Sequence, residues 1–275
     1  MFSKYTVIIK SGGDLATAVA HKLFSVGFSV IITELDNPMM VRRTVSFANC
    51  VYEKEWKVEG VTAVLAHNTQ DVKKILGQGK IPVVIDAKCS ISQELKPTVI
   101  IDGILAKKNR GTKITDAPIV IGLGPGFTAG EDVDMVIETQ RGHKLGKIIC
   151  KGQAIANTGI PGNIMGYTSQ RVLRSSCKGI VKNFVDIGSN VETGQTICSV
   201  DGEDVVAEIR GIVRGLIHDG LFVKNKEKLG DIDPRGEKEY CYIISEKGRN
   251  IAGGTLEAIL VELNKRYCLK VENRE

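Results

Sequence analysis

The feature that most limits the possible folds is a strand, a glycine turn, a helix and a second strand within the first 34 residues. The β-branched run TVIIK (6–10) ends in the turn sequence SGGD. Apolar residues then recur at three- and four-residue steps over 15–26, which is the helical period, and Gly27 ends the predicted helix. The β-branched run 29–33 follows. Such a βαβ unit predicts two parallel strands.

Three later runs predict further strands of the same sheet: PVVID (82–86), TVIID (98–102) and IVIGLG (119–124). Near-continuous Val and Ile residues are typical of strands that are buried on both faces, as in parallel sheets. A helical pattern at 69–78 precedes the first of these runs. We therefore predict an α/β fold in which residues 1–130 form a Rossmann-like parallel sheet, with its strand order left open.

An internal repeat with a period of 32 residues lies in the second half of the chain. Residues 178–202 align without gaps on residues 210–234, and glycines, valines and an aspartate match in register. A repeat of this length usually marks a duplicated supersecondary unit. Two such halves facing each other would close a small β sandwich and remove its sheet edges.

Short β-type segments separated by turn residues surround this repeat. We therefore predict residues 131–245 to be a β-rich, barrel-sandwich-like domain. Residues 246–275 are predicted to form a C-terminal helix that packs back on one of the domains. Its expected apolar face consists of Leu256, Ile259, Leu260 and Leu263.

Composition excludes several classes of protein. The net charge of +5 arises from 37 basic and 32 acidic residues without a long basic run, which argues against nucleic-acid binding. No apolar stretch approaches the roughly 18 residues of a membrane helix, and the N-terminal residues do not resemble a signal peptide. The seven cysteines are scattered without a C-x-x-C pair, as expected for reduced thiols. We expect a cytoplasmic protein without a membrane partner, and we predict no metal site.

The first glycine turn is a candidate cofactor-binding site formed by Gly12, Gly13 and Asp14, with Glu34 at the end of the next strand. The turn loosely fits G-x-G-x-x-G/A, in which backbone N–H groups and a helix N-terminus approach a phosphate. Glu34 lies 21 residues after Gly13, where a ribose-binding carboxylate is expected. Asp14 would compete with a phosphate for the same helix end. The alternative is a structural turn with Asp14 as the N-cap.

A second glycine turn contains Gly122, Gly124 and Gly126 and again follows a buried strand. Both turns, together with Asp86 and Asp102, lie at the carboxyl ends of predicted parallel strands. Open α/β sheets bind ligands at that edge, so we predict a site there. The alternative is that the glycines only permit short connections.

Several charged residues could complete such a site. Arg42 and Arg43 follow the second strand, where one of them could bind a phosphate or carboxylate, although a solvated pair is equally compatible with the sequence. Asp102, Glu138 and His143 are candidate proton carriers.

Six longer segments of the sequence carry a resemblance to a known family: GGDLATAVAHKL, RRTVSFANCVYE, IIDGILAKKN, IGLGPGFTAGEDVDMVIETQRGHKLG, NTGIPG and LGDIDPRG. Together they resemble the YqeB family, accessory proteins of the selenium-dependent molybdenum hydroxylase system. The resemblance implies a maturation protein that binds a nucleotide-bearing cofactor, such as a molybdopterin dinucleotide, or handles a selenium or sulfur ligand. It further implies a molybdenum hydroxylase or another maturation factor as the partner.

Selenium or sulfur transfer would need an accessible thiolate. Cys89, beside Lys88, is the best-placed candidate, and an ordinary buried or loop cysteine is the alternative. In the maturation hypothesis, Lys107 and Arg141 would add positive charge around the ligand. Two other hypotheses remain: a small nucleotide-dependent oxidoreductase or transferase, and a binding module without chemistry.

Overall fold

The structure is a computed structural model that describes residues 2–272, with side chains described up to residue 266. Nine strands form one large sheet and two more form a small ribbon. These strands are β1 (Thr6–Lys10), β2 (Ser29–Glu34), β3 (Glu55–Val58), β4 (Val61–Ala66), β5 (Ile81–Ile85), β6 (Val99–Asp102), β7 (Ile119–Leu123), β8 (Thr128–Ala129), β9 (Met135–Ile137), β10 (Ile148–Ile149) and β11 (Gly152–Gln153).

Four helices lie between strands of the large sheet in the sequence, and a fifth comes after the repeat region. They are α1 (Asp14–Ser25), α2 (Cys50–Glu53), α3 (Thr69–Gly77), α4 (Ser92–Leu95) and α5 (Glu246–Glu272). None of the helices in the described part of the chain is both long and apolar enough to cross a membrane.

The large sheet has the strand order β10-β9-β7-β6-β1-β2-β5-β4-β3. Its neighbours pair in parallel except for β3 with β4 and β10 with β9, which are antiparallel. The predicted parallel α/β layer is therefore confirmed as a large mixed sheet. The chain moves from β1 to β2 on one side and later returns to β6 on the other side. This arrangement creates a switch point beside the carboxyl end of β1, where open α/β sheets form a crevice.

The large sheet continues beyond the predicted domain boundary at residue 130. Strands β9 and β10 pair with β7 and with each other, so residues 135–149 belong to this sheet. A boundary at residue 130 would place the short segments DMVIET and KIICKG in the β-rich domain. Their Val and Ile residues complete the sheet edge beside β7 instead.

The second half contains two four-stranded sheets. Their strands are β12 (Val172–Arg174), β13 (Gly179–Asn183), β14 (Asn190–Val191), β15 (Thr196–Val200), β16 (Glu203–Val206), β17 (Gly211–Leu216), β18 (Phe222–Val223) and β19 (Lys228–Asp233). One sheet has the order β12-β19-β17-β14 and the other has the order β16-β15-β13-β18.

The two copies of the sequence repeat contribute the same series of strands: long, very short, long. The short strand β14 of the first copy pairs with β17 of the second, and β18 of the second pairs with β13 of the first. Each copy therefore adds a two-residue edge to the sheet of the other. Fully buried aliphatic residues such as Val200, Val213 and Leu229 fill the space between the sheets.

Helix α5 lies against α1 and contacts β7, β9 and β10 of the large sheet. Residues 273–275 of the predicted helix 246–275 lie outside the described residues. A Cβ added at Gly248 would lie 2.9 Å from the Cβ of Ala18, so the two helices approach closely. The buried face differs from the expected one, since Leu260 is 37% exposed. Small and medium residues set the contact instead: Ile251, Ala252, Thr255, Ala258 and Ile259.

Candidate functional site

A pocket of about 520 Å³ lies at the switch point, between the large sheet and the repeat region. The carboxyl ends of β1, β2, β5 and β6 form one side, and residues of β17 and β19 form another. Its charged lining residues are Lys10, Asp14, Glu34, Arg42, Asp86, Arg214, Lys228 and Asp231. The pocket lies at the sheet edge where the sequence predicted a site, and its volume suits a small-molecule ligand.

The two glycines of the first turn have different environments. A Cβ on Gly12 would lie 2.7 Å from the backbone nitrogen of Ala48, so this glycine permits close packing and does not line the pocket. Gly13 does line the pocket, and an added Cβ would find only the Ser11 hydroxyl, at 3.7 Å. Gly13 is also the N-cap of α1, and Asp14, the N-cap in the alternative interpretation of this turn, is the first helical residue.

Glu34 ties the first turn to the end of β2. Its Oε2 accepts a hydrogen bond from the Gly12 N–H at 2.7 Å, and its Oε1 accepts one from the Leu35 N–H at 2.8 Å. Burial raises the pKa of Glu34, and these hydrogen bonds only partly oppose the shift. A carboxylate has about four acceptor positions, so Glu34 keeps capacity for a ligand hydroxyl.

Arg42 and Arg43 are adjacent in the sequence but bind different groups. Arg42 is 8% exposed, lines the pocket and donates from Nη2 to the carbonyls of Tyr240 and Ile243 at 2.7 and 3.1 Å. Arg43 donates to the Leu216 carbonyl at 3.0 Å and pairs with Asp186. Arg43 is therefore a tie between the two halves of the chain and does not line the pocket.

The Arg42 guanidinium has no carboxylate partner within the described residues, and its Nε lacks any hydrogen-bond partner there. Burial lowers the pKa of Arg42, against the opposing charge of Asp14. A buried charge without a counterion is costly unless something else neutralises it. Arg42 therefore fits the anionic group of a bound ligand.

The repeat region contributes a network of buried charges. Asp231 is 1% exposed, and its Oδ2 accepts from Arg171 at 3.0 Å and from Arg214. Burial opposes ionisation of Asp231, but Arg214 and the neighbouring cations outweigh it and lower the pKa of this carboxyl. Arg214 also contacts Asp233 at 3.4 Å, so its charge is compensated within the network.

Lys10 and Asp102 form a buried pair beneath the pocket. The Lys10 Nζ lies 3.5 Å from Asp102 Oδ2 and 2.5 Å from the Thr112 hydroxyl. Thr112 in turn donates to Asp102 at 2.5 Å. Lys10 lines the pocket, whereas Asp102 lies behind it. Asp102 therefore contacts the pocket lining through Lys10 and through the N–H of Ile104.

The second glycine turn is packed by the protein itself and does not line the pocket. An added Cβ would lie 2.5 Å from the Phe127 ring at Gly122, 2.5 Å from the Thr139 hydroxyl at Gly124 and 2.7 Å from the Lys108 backbone at Gly126. These glycines allow close internal packing.

The remaining catalytic candidates lie apart from the pocket lining. Glu138 is buried, and its two oxygens accept from the N–H groups of Gln140 and Ile155 at 2.7 and 2.8 Å. His143 is exposed near α5. Cys89 is 6% exposed, and burial raises its pKa, which disfavours the thiolate that chalcogen transfer needs. Lys107 and Arg141 are exposed and lie outside the pocket lining, and Arg141 pairs with Glu246.

Sequence reasoning missed Lys10, Arg214, Lys228 and Asp231, which line the pocket. A signal was present in the repeat, because Asp231 stands where the first copy has Ser199. A charged residue in a buried strand is rare unless it is paired, so the aspartate at this position indicates a role beyond apolar packing. Nothing in the local pattern placed that strand beside the first glycine turn.

No protein-family model matches the chain. The chain is 47% identical over 259 residues to "Uncharacterized protein YqeB" of Escherichia coli (strain K12), and the match covers 94% of this chain and 48% of that protein. The chain thus spans about half the length of the curated relative that it matches.

Two solved structures show a distant likeness. An aspartoacylase family protein from Mesorhizobium loti aligns with a TM-score of 0.27 and 9% identity, covering 82% of this chain and 84% of that one. The apo ectoine utilization protein EutE from Ruegeria pomeroyi aligns with a TM-score of 0.26 and 13% identity, covering 83% and 85%. Likenesses at this level carry no argument about the site. The sequence match, by contrast, supports the YqeB family for the region of the chain that it covers.

Proposed function

We propose that this chain is an accessory protein in the maturation of selenium-dependent molybdenum hydroxylases, and that it binds a nucleotide-bearing ligand in the switch-point pocket. The observation that supports ligand binding most directly is Arg42, a buried cation in the pocket lining whose Nε has no partner in the described part of the chain. The association with hydroxylases rests on the sequence segments that resemble the YqeB family.

The first glycine turn and Glu34 support a nucleotide. Gly13 leaves open space at the N-terminus of α1, and Glu34 retains acceptor capacity beside it. A sugar hydroxyl on Glu34 would follow the usual arrangement at such a switch point. The ligand of this proposal is a molybdopterin nucleotide or another dinucleotide.

For the repeat region, we propose a duplicated barrel-sandwich architecture that shapes the pocket. The reciprocal pairing of β14 with β17 and β18 with β13 supports two equivalent, interlocked halves. Arg214, Lys228 and Asp231 of the second half line the pocket, so this region contributes to the site as well as to the fold.

The binding proposal is tested by thermal unfolding of the protein with NAD, NADP, ATP, CTP, GTP and molybdopterin nucleotides. A ligand at 100 times its dissociation constant should stabilise the protein by about 2.7 kcal/mol, which raises Tm by a few degrees. Gly13→Val should remove this shift because its side chain enters the pocket. Gly77→Val is the matched control, since an added Cβ there meets nothing within 4 Å. The absence of a shift with every compound would contradict nucleotide binding.

The hydroxylase association needs a separate experiment in cells. Deletion of the gene should lower selenium-dependent molybdenum hydroxylase activity. Complementation with the wild type or Gly77→Val should restore it, whereas Gly13→Val should not. Unchanged hydroxylase activity after deletion would sink the maturation role while leaving nucleotide binding intact.

The alternative is a small nucleotide-dependent oxidoreductase or transferase, and the Lys10–Asp102 pair favours it. A buried lysine that lines a pocket and contacts a buried carboxylate could carry a proton to or from a ligand. Turnover of a bound nucleotide by the purified protein, lost in Lys10→Met with binding retained, would support this alternative over the maturation role.

A further inference from the structure

The charges that line the pocket are divided between two sides. Asp14, Glu34 and Asp86 lie at or just after the carboxyl ends of β1, β2 and β5, and Lys10 is the cation of this side, where it pairs with the buried Asp102. Arg42, Arg214 and Lys228 lie on the side of the repeat region, together with Asp231. The segment that carries Arg42 runs beside β17, because the Val41 carbonyl accepts from the Leu216 N–H at 2.8 Å.

Two cations of this pocket form no direct ion pair among the residues whose side chains are described, and both lie on the repeat side. Asp231 already binds Arg171 and Arg214, which leaves Arg42 and Lys228 without a carboxylate partner among residues whose side chains are described. Arg42 hydrogen-bonds only to main-chain carbonyls, and burial lowers its pKa. A ligand anion at this position would neutralise the Arg42 guanidinium.

The opposite side suits hydrogen-bond donors. Glu34 Oε1 and Oε2 each accept one main-chain N–H, and Asp86 Oδ2 accepts the Ile91 N–H at 2.8 Å. Each carboxylate retains acceptor positions for hydroxyl or amine groups. Asp14, in the first turn of α1, would repel a phosphate bound at that helix end.

We infer that the pocket binds a phosphorylated sugar or nucleotide with its phosphate on Arg42 and Lys228, and with its hydroxyl groups on Glu34 and Asp86. This orientation places the phosphate on the repeat region and away from the glycine turn. The inference rests on the proposed nucleotide binding and adds which part of the ligand each side recognises.

Isothermal titration calorimetry with ribose 5-phosphate, ribose, inorganic pyrophosphate and the nucleotides of the unfolding panel tests this orientation. Lys228→Gln should weaken the binding of ribose 5-phosphate about tenfold, the usual effect of losing one charged hydrogen bond, and should leave ribose unchanged. Lys228→Arg should retain the affinity. Lys224→Gln, an exposed lysine outside the pocket lining, is the matched control.

Gly13→Ala tests the rival orientation, in which the phosphate lies on the glycine turn. Its Cβ would have open space, so the fold should be retained, and the ratio of ribose to ribose 5-phosphate affinity should stay at the wild-type value. Arg42→Gln is the direct variant, but the carbonyls of Tyr240 and Ile243 would lose their donor. If Arg42→Gln does not fold, the Lys228→Gln and Lys228→Arg variants decide between the two orientations.

The outcomes separate this inference from the proposed function. One outcome would overturn the orientation and leave nucleotide binding intact. In that outcome, Gly13→Ala weakens nucleotide binding tenfold, and Lys228→Gln has no more effect than Lys224→Gln. Pyrophosphate binding that depends on Lys228, without any nucleotide binding, would support the phosphate subsite and remove the nucleotide. Failure of every probe to bind would overturn both.

Discussion

The two glycine turns of the large sheet have similar sequences and positions but different roles. Each follows a buried parallel strand, and each has glycines at close spacing. The first turn leaves Gly13 open to a pocket, whereas atoms of the protein occupy the space around Gly122, Gly124 and Gly126. A glycine-rich turn at a strand end can therefore accept a ligand only where no other side-chain or backbone atoms of the protein pack against its glycines.

The largest effect that separates the two turns is expected for Gly126→Ala. Gly126 has φ +113°, and the added Cβ would lie 2.7 Å from the backbone of Lys108, which cannot rotate away. Backbone strain and the clash together should lower the free energy of unfolding by about 3 kcal/mol or more. Urea denaturation measures this loss. Gly13→Ala is the paired variant and should lose less than about 1 kcal/mol, so equal losses would contradict the comparison.

A smaller effect is expected for Gly122→Ala, where a side chain causes the conflict. The new Cβ would lie 2.5 Å from the Phe127 ring, and overpacking of this kind typically costs about 1–3 kcal/mol. Phe127→Leu should recover part of this loss in the double variant, giving a coupling energy that a denaturant double-mutant cycle detects. Strict additivity of the two losses would show that Phe127 does not fill this turn.

The smallest effect is expected for Glu34, whose carboxylate accepts a hydrogen bond from the Gly12 N–H of the first turn. Glu34→Gln replaces one of two acceptors with a donor that faces a main-chain N–H, so it should cost about 1 kcal/mol or slightly more at low pH. Burial raises the folded-state pKa of Glu34 from 4.5, so the native wild type binds this proton more tightly than the unfolded chain. Its stability therefore falls as the pH rises from 4.5 through the folded pKa.

Glu34→Gln should lack that part of the pH dependence. Unfolding curves of both proteins between pH 4 and pH 8 check the sign, because the stability advantage of the wild type should shrink as the pH rises. An advantage that grows with pH would mean that hydrogen bonds outweigh burial and lower the pKa of Glu34.

The sequence predicted the first βαβ unit closely, since strong β-branched runs, a helical period and Gly27 all agree there. The predicted helix 15–26 corresponds to α1, and the runs 82–86, 98–102 and 119–124 correspond to β5, β6 and β7 within one or two residues. The boundary at residue 130 was less accurate, because two- and three-residue strands such as β9 and β10 have no period to detect.

The site was predictable only in part, because it depends on contacts between distant segments. Sequence spacing placed Gly13, Glu34 and Asp86 at one sheet edge, and all three line the pocket. No local pattern distinguishes Arg42 from Arg43, because their different roles depend on the distant residues that each side chain contacts. Arg214 and Lys228 lie 200 or more residues from the first turn in the sequence, and only the folded chain brings them to it.

The position of α5 has a consequence for how the chain is made. The sheet of the first 149 residues packs its α1 side against Ile251, Ala252 and Ile259, which the ribosome adds more than 100 residues later. Until then, part of the apolar surface over α1 stays open to solvent, and incomplete cores of this kind are prone to aggregate. The large sheet therefore depends on α5 to cover its α1 side during synthesis.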